Sequence, residues 1–376
     1  MYNIIHYLYS FSRPSETFIY TLIRLLEGLP EFKNTILTQK RELAQERPFD
    51  RVQVIFKKGL FSKLQRRFTN FSDIDWATTS NKPDVLHAHF GPNGVYLYNS
   101  IGTKLGVPII TSLHGTDVVS LPYSDYKYRE SIVKMSKDSE CYFTVPSKFL
   151  YNKLKDLGCS EENITVLNNT FDGEFLSTRK SNYRKPSDPL HIINVGRLLP
   201  IKGQEYLIRG FASFVRNVNP DSKLTIVGEG ALKNKLQQLS NDLGVSKQVT
   251  FIDYVSHHDL PQLLSRHDLY FQPSIKDAES GQEESFGIAV LEAIMVGLPV
   301  VVTKTGGLPE VIGKETTFSY LIEPASEKVI YEKLKDLFYS NEAFADNTCY
   351  SEHVRYNYSQ ERYLKKIISV YLNAIR

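Results

Sequence analysis

Two glutamates eight positions apart bracket the segment Glu284-Ser-Phe-Gly-Ile-Ala-Val-Leu-Glu292. Along a helix eight positions cover roughly 12 Å, too far for two carboxylates to share one proton. At that spacing they can instead hold the two ends of an elongated ligand by its hydroxyls. Ser285 reads as the cap of a helix running to about Val296, which Gly297 and Pro299 then stop. The amides of Phe286, Gly287 and Ile288 fall at its start, where unpaired N–H groups and the helix dipole favour phosphate. Two solvated glutamates on a surface helix would give the same spacing.

Three glycine-containing turns accompany this segment. In Asn194-Val-Gly-Arg-Leu-Leu-Pro-Ile-Lys-Gly203, Gly196 ends a strand and a helix follows Gly203. Arg197 and Lys202 flank the loop between them, and together they suit a diphosphate, one as a fork of donors and one as a point charge. They also suit plain solvent exposure. Val227-Gly228-Glu229-Gly230 resembles the start of a dinucleotide fingerprint, with Asp253 near the place of a ribose-binding acid. Lys233 stands where the third glycine belongs, which speaks against a nicotinamide cofactor. Thr305-Gly306-Gly307-Leu308-Pro309-Glu310 follows another strand. Its glycines admit a close backbone approach, and Glu310 opens the next helix.

The first half carries His87-Ala-His89-Phe-Gly91 and His114-Gly-Thr-Asp117, each after an apolar strand and so expected at the rim of a sheet. No His-x-x-x-His spacing and no cysteine accompanies them, so they are read as hydrogen-bonded turn residues and no metal is expected. Asp73 and Asp75 read as acids at a helix start, and Ser15 as a helix cap. Residues 51–70 hold Arg51, Lys57, Lys58, Lys63, Arg66 and Arg67 without an acid, with Phe61, Leu64 and Phe68 at helical spacing. That pattern fits a helix on an anionic membrane surface and equally a solvated helix packed on its domain.

Short apolar runs must carry these turns. Strands are expected near 4–7, 34–38, 52–56, 85–89, 108–113, 141–145 and 164–167, then 191–195, 224–227, 249–252, 269–272, 299–303 and 318–322. Helical patterns lie between many of them, such as 16–26, 148–157, 204–218, 232–243, 260–265, 288–296 and 327–339. Strands alternating with helices imply parallel sheets, whose ligands sit at the carboxyl ends of the strands. The polar stretch Thr178 to Pro189 reads as a linker. The chain is thus expected to be α/β, with one doubly wound domain over 1–178, a second over 190–356, and a cleft between them.

The 376 residues suit two domains. At 41% hydrophobic and 23% charged the composition is that of a globular protein, and a net charge of +3 argues against nucleic acid as a partner. Cys141, Cys159 and Cys349 lie far apart, and no secretory signal or membrane span is apparent, so a cytoplasmic protein with reduced thiols is expected.

Together the four motifs, in this order and each at a strand-to-helix junction, resemble the family-four retaining glycosyltransferases of the GT-B fold. Ser15-Glu-Thr-Phe18 and the His87 segment look like members that build bacterial surface polysaccharides. The resemblance implies two facing Rossmann-like domains, with a helix over 357–376 packing back on the first. It implies a nucleotide-sugar donor, UDP-linked or GDP-linked, no cofactor, and a saccharide or polyprenyl-diphosphate-linked acceptor at the inner membrane face. It assigns Arg197 and Lys202 to the diphosphate, Glu284 to the donor hexose and Glu292 to the ribose. Gly196, Gly228, Gly306, Gly307 and Glu310 would lie by the nucleotide, and His114 would approach the sugar. The chain departs from the pattern at Thr170 and in the acidic loop from Asp277 to Glu283. Two other readings are a binding protein without turnover and another GT-B enzyme such as a nucleotide-sugar epimerase. Substituting Arg197 or Lys202 is expected to cost turnover far more than stability.

Overall fold

Runs such as Val300–Thr303 are buried at every residue, the pattern of a strand covered on both faces. The structure, a computed structural model, describes residues 1–55, 82–102, 105–178, 185, 188–313, 316, 318–340, 344 and 348–376. Lys57, Lys58, Lys63, Arg66, Arg67, Asp73 and Asp75, with most of the stretch from 178 to 189, lie outside the described residues.

The chain divides into two units, Met1–Asn169 with Gln360–Arg376, and Thr170–Ser359. The first holds strands β1 (Tyr2–Phe11), β2 (Phe32–Arg41), β3 (Val52–Val54), β4 (Val85–His89), β5 (Ile109–Ser112), β6 (Cys141–Val145) and β7 (Ile164–Val166). They form one sheet in the order β3-β2-β1-β4-β5-β6-β7, parallel throughout. The order reverses between β1 and β4, and in such sheets that junction is where ligands settle. Helix Thr17–Glu27 buries Ile19, Leu22, Ile23 and Leu26 against this sheet. Ser15 is not its cap: Glu16 precedes the helix without a side-chain cap, and the turn is closed by the Glu16 amide on the Arg13 carbonyl. Helix Gln360–Ile375 belongs to the same unit. Its Tyr363, Ile367, Val370 and Tyr371 pack with Ile4, Leu22, Phe32 and Val85.

The second unit holds β8 (His191–Val195), β9 (Lys223–Val227), β10 (Val249–Ile252), β11 (Leu269–Gln272), β12 (Val300–Thr303) and β13 (Ser319–Ile322) in the order β10-β9-β8-β11-β12-β13, again parallel. Successive side chains of β11 enter opposite layers, Leu269 and Phe271 one core and Tyr270 the other. The first core takes helices Gln204–Asn217 and Glu327–Tyr339, the second helix Ile288–Val296. That last helix is apolar nearly all round and buried from Val290 to Val296, as a helix packed on several sides must be. Among the described residues no helix is long and apolar enough to cross a membrane.

Candidate active site

Strand β8 ends at Val195, and the loop beyond it carries Gly196, exposed Arg197 and a single 3-10 turn, Pro200–Lys202. The neighbouring turn after β9 lies directly against it. A Cβ on Gly228, whose φ is +143°, would stand 2.1 Å from the Gly196 carbonyl oxygen. Gly228 therefore keeps two strand-end loops in contact, and no larger residue could do so.

The loop delivers Lys202 onto Glu284. The Lys202 Nζ donates to Glu284 Oε1 at 2.9 Å and Oε2 at 2.6 Å, and Ser274 Oγ donates to Oε2 at 2.9 Å. Behind Ser274 the bonds continue through Gln272 Nε2 at 2.8 Å, with Tyr270 OH on Gln272 Oε1 at 2.7 Å. Burial pushes the Glu284 carboxyl up. The Lys202 ammonium, the Ser274 bond and the Arg197 charge outweigh it and hold the group below the ordinary carboxylate value. The site thus stores an ionised, largely buried carboxylate beside an exposed guanidinium.

Glu284 does not lie on a helix. Helix Ile288–Val296 starts four residues later, flanked by Gly287 at φ +112°, and has no side-chain cap. The left-handed Gly287 breaks the backward continuation, so Ser285 is not the cap of this helix and the roughly 12 Å helical span does not apply to the glutamate pair. Among the described residues no carbonyl accepts from the amides of Phe286, Gly287 and Ile288. The Phe286 ring is buried against Tyr358 at 5.6 Å. Gly306 and Gly307 touch this segment. A Cβ on Gly306 would fall 1.9 Å from the Glu284 carbonyl oxygen, and the Gly307 amide donates to that oxygen at 2.8 Å. What presses against these glycines here is protein backbone. Glu310 enters the short helix Leu308–Ile312, and its carbonyl accepts from Tyr358 OH at 2.7 Å.

Glu292, buried on the second turn of its helix, is met by His257. The His257 Nε2–H donates to Glu292 Oε1 at 3.2 Å. Asp253 pairs with Lys233 at 2.5 Å, so the residue that spoils the dinucleotide fingerprint also occupies the acid.

In the first unit His87 and His89 are not turn residues. His87 and His89 lie within β4 and are fully buried with His6 of β1. Asn34 Nδ2 donates to Glu27 Oε1 at 2.9 Å, so its Oδ1 accepts from His6 Nε2–H at 3.1 Å, which leaves His6 Nδ1 to accept from His89 Nε2–H at 3.2 Å. His87 bonds Tyr371 OH and Ser112 Oγ, both at 2.8 Å. One nitrogen each of His6, His87 and His89 lies within 4.8 Å of the others. The rings of His87 and His89 are stacked at 4.5 Å. His114 follows β5, stacked on His89 at 6.1 Å and packed on Phe18 at 4.5 Å. Among the described residues His89 Nδ1 and His114 Nε2 have no hydrogen-bond partner. Asp117 accepts from the amides of Gly91, His114 and Gly115 and so fixes the turn that presents His114.

In the second unit, then, Lys202, Glu284, Gly306 and Gly307 meet, Arg197 lies within electrostatic reach, and Gly196 meets Gly228. Glu292 pairs with none of these. Sequence reasoning passed over Tyr270, Gln272, Ser274 and His257. All four stand on a strand or loop next to a strand's carboxyl end, the one signal that could have found them.

The family model for group 1 glycosyl transferases matches residues 177–349, and that for glycosyltransferase family 4 matches residues 15–175. An uncharacterized glycosyltransferase of Methanocaldococcus jannaschii is 31% identical over 256 residues, 62% of this chain and 61% of the relative. The Escherichia coli protein WcaL, named as a colanic acid biosynthesis glycosyltransferase, is 26% identical over 258 residues, 68% of this chain and 62% of its own. The matched region thus spans about three fifths of each of these relatives. Among solved structures the Anabaena protein HepE, in complex with UDP and glucose, superposes with a TM-score of 0.78 at 18% identity, over 97% of this chain and 98% of its own. With both halves matched in sequence and the fold matched almost end to end, the chain belongs to the family-four, group 1 glycosyltransferases of the GT-B fold.

Proposed function

We propose that the protein is a retaining, metal-independent glycosyltransferase. It moves a hexose or N-acetylhexosamine from a nucleotide-diphosphate sugar, UDP-linked or GDP-linked, to a saccharide or lipid-linked saccharide acceptor in cell-surface polysaccharide synthesis. The observation that carries this reading is the partly buried Lys202–Glu284 pair beside exposed Arg197. The two cations receive the diphosphate, and the amides of Phe286 to Ile288 offer it further donors. Lysine has three donors, so Lys202 can bind a phosphate oxygen while still holding Glu284. Glu284, kept ionised, accepts from hydroxyls of the donor sugar, and Glu292 from the ribose. His114 serves the donor sugar.

In the reaction the bond from the anomeric carbon to the diphosphate oxygen breaks and the acceptor hydroxyl bonds to that carbon on the same face. The hydroxyl proton passes to the departing phosphate. Positive charge fixed in advance at Arg197 and Lys202 stabilises the leaving group, work a divalent ion would otherwise do. The UDP complex of HepE and the polysaccharide name of WcaL support the donor and pathway class. The cations of residues 51–70 support work at an anionic membrane face.

Thermal shift against a panel of UDP- and GDP-sugars identifies the donor, since a ligand at 100 times its Kd stabilises by about 2.7 kcal/mol. With that donor and an acceptor, turnover should persist in EDTA, and NMR of the fresh product should show the donor's anomeric configuration. Loss of turnover in EDTA with rescue by a divalent ion overturns metal independence, and an inverted product overturns retention. Free epimerised sugar without an acceptor would place the chain among the epimerases.

A further inference from the structure

A glutamate that reads a ribose must hold its carboxylate in one plane, because the two vicinal hydroxyls donate from fixed directions. The last torsion of glutamate is broad and settles no plane by itself. Glu292 is buried, 7% exposed at its side chain, and its hydrogen-bond partner is His257. That bond occupies one lone pair of Oε1 and leaves the rest of the carboxylate to accept.

His257 is itself held in place. Its ring meets the fully buried Phe175 ring at 5.1 Å in an edge arrangement. The loop that carries it is closed on both sides of the ring. The Asp259 amide donates to Ser256 Oγ at 3.1 Å, Ser256 Oγ donates to Asp259 Oδ2 at 2.6 Å, and the Leu260 amide donates to the Ser256 carbonyl at 3.0 Å. The imidazole is therefore a donor presented from a fixed loop to a soft carboxylate.

We propose that His257 is the positioning residue of Glu292: it selects the carboxylate orientation that reads the 2′ and 3′ hydroxyls of the donor nucleotide, and so gives the site its preference for ribo- over 2′-deoxyribonucleotides. This rests on the reading of Glu292 as the ribose-binding group.

The test is calorimetric titration of wild type, His257→Ala, His257→Gln and Glu292→Gln with UDP, GDP and their 2′-deoxy forms. Wild type should bind the ribose form of its nucleotide more tightly than the deoxy form. His257→Ala should weaken the ribose form about tenfold, the scale of one hydrogen bond to a charged group, and weaken the 2′-deoxy form, which keeps only the 3′ hydroxyl, by clearly less. Retained deoxy binding also shows that the variant is folded. His257→Gln keeps an N–H donor and should recover most of the loss. Equal weakening of both forms by His257→Ala would reduce His257 to loop packing, and an unchanged preference would remove it altogether. If Glu292→Gln binds nucleotide with the wild-type preference, the ribose role of Glu292 fails and the inference with it. If wild type binds neither UDP nor GDP, the proposed function fails first.

Discussion

Lys202 and Arg197 carry the same charge, yet they answer differently to substitution. Arg197 is exposed, and its charge acts on Glu284 through space. Arg197→Ala should cut kcat on the order of a hundredfold, as loss of one transition-state contact does, with little change in melting temperature. Lys202 is 17% exposed and faces a carboxylate 10% exposed. Removing it leaves that carboxylate buried and unpaired, which costs about 3–5 kcal/mol in comparable sites. Lys202→Ala should therefore lose both turnover and several degrees of melting temperature. This differs from the expectation that either substitution spares stability. The sign of the pH dependence follows from Glu284. Its folded-state value lies below the ordinary one, so the pair's contribution is full above the ordinary carboxylate value and is lost as pH falls through the folded value. Turnover and melting curves of the two variants side by side check the contrast. Equal stability loss in both would mean that the burial of Glu284 does not matter.

Strands β1, β4 and β5 and helix Gln360–Ile375 share one buried polar layer. Burial lowers His6 to about 4 and His114 to about 3, and holds His87 and His89 well below the ordinary histidine value. All four are neutral in the folded protein and can protonate once it unfolds. The unfolded chain then binds more protons, so stability is full above the ordinary histidine value and falls as pH drops below it toward the folded values. Each such histidine takes about 1.4 kcal/mol per pH unit in that window. Chemical melts should show a steep loss of stability between about pH 6.5 and 5. In His6→Gln the slope should flatten by about one proton, and an unchanged slope would mean that His6 is not neutral in the fold. The helix is tied to the layer by Tyr371 OH and His87 Nδ1 at 2.8 Å. Tyr371→Phe leaves that nitrogen without its partner and should cost about 1–3 kcal/mol in urea melts at neutral pH.

For the whole molecule the open matter is where it works. Six cations from Arg51 to Arg67 occur without an acid, in a chain whose net charge is +3. Arg51 is bound to Glu27 and lies over Phe49 within the first unit, so the expected membrane contact falls to Lys57, Lys58, Lys63, Arg66 and Arg67. A cation near an anionic bilayer contributes roughly 1 kcal/mol and is screened over about 10 Å at 0.1 M salt. Wild type should co-sediment with anionic vesicles at low salt and release at high salt, and a variant with those five residues changed to glutamine should stay in the supernatant. Equal sedimentation of the two proteins would remove these five cations from any membrane contact.

The sequence by itself determined the alternation of strand and helix and the four motifs in order, because buried runs, helical periodicity and turn glycines are properties of short segments. Val300–Thr303 needs only its own residues to read as a strand buried on both faces. Which atoms meet was decided by the tertiary structure alone. Lys202 and Glu284 stand 82 positions apart, His257 and Glu292 35, His6 and His89 83, and His87 and Tyr371 284. Each partnership depends on strand order and register, and these are set by how two sheets bury both faces at once. The same dependence explains the errors. His87 and His89 read as turn residues although a strand was expected over 85–89, because the sequence does not show that pairing with β1 and β5 buries them inside it. Ser285 read as a cap because its type suits one, while Gly287 moves the helix start past it and frees Glu284 for Lys202.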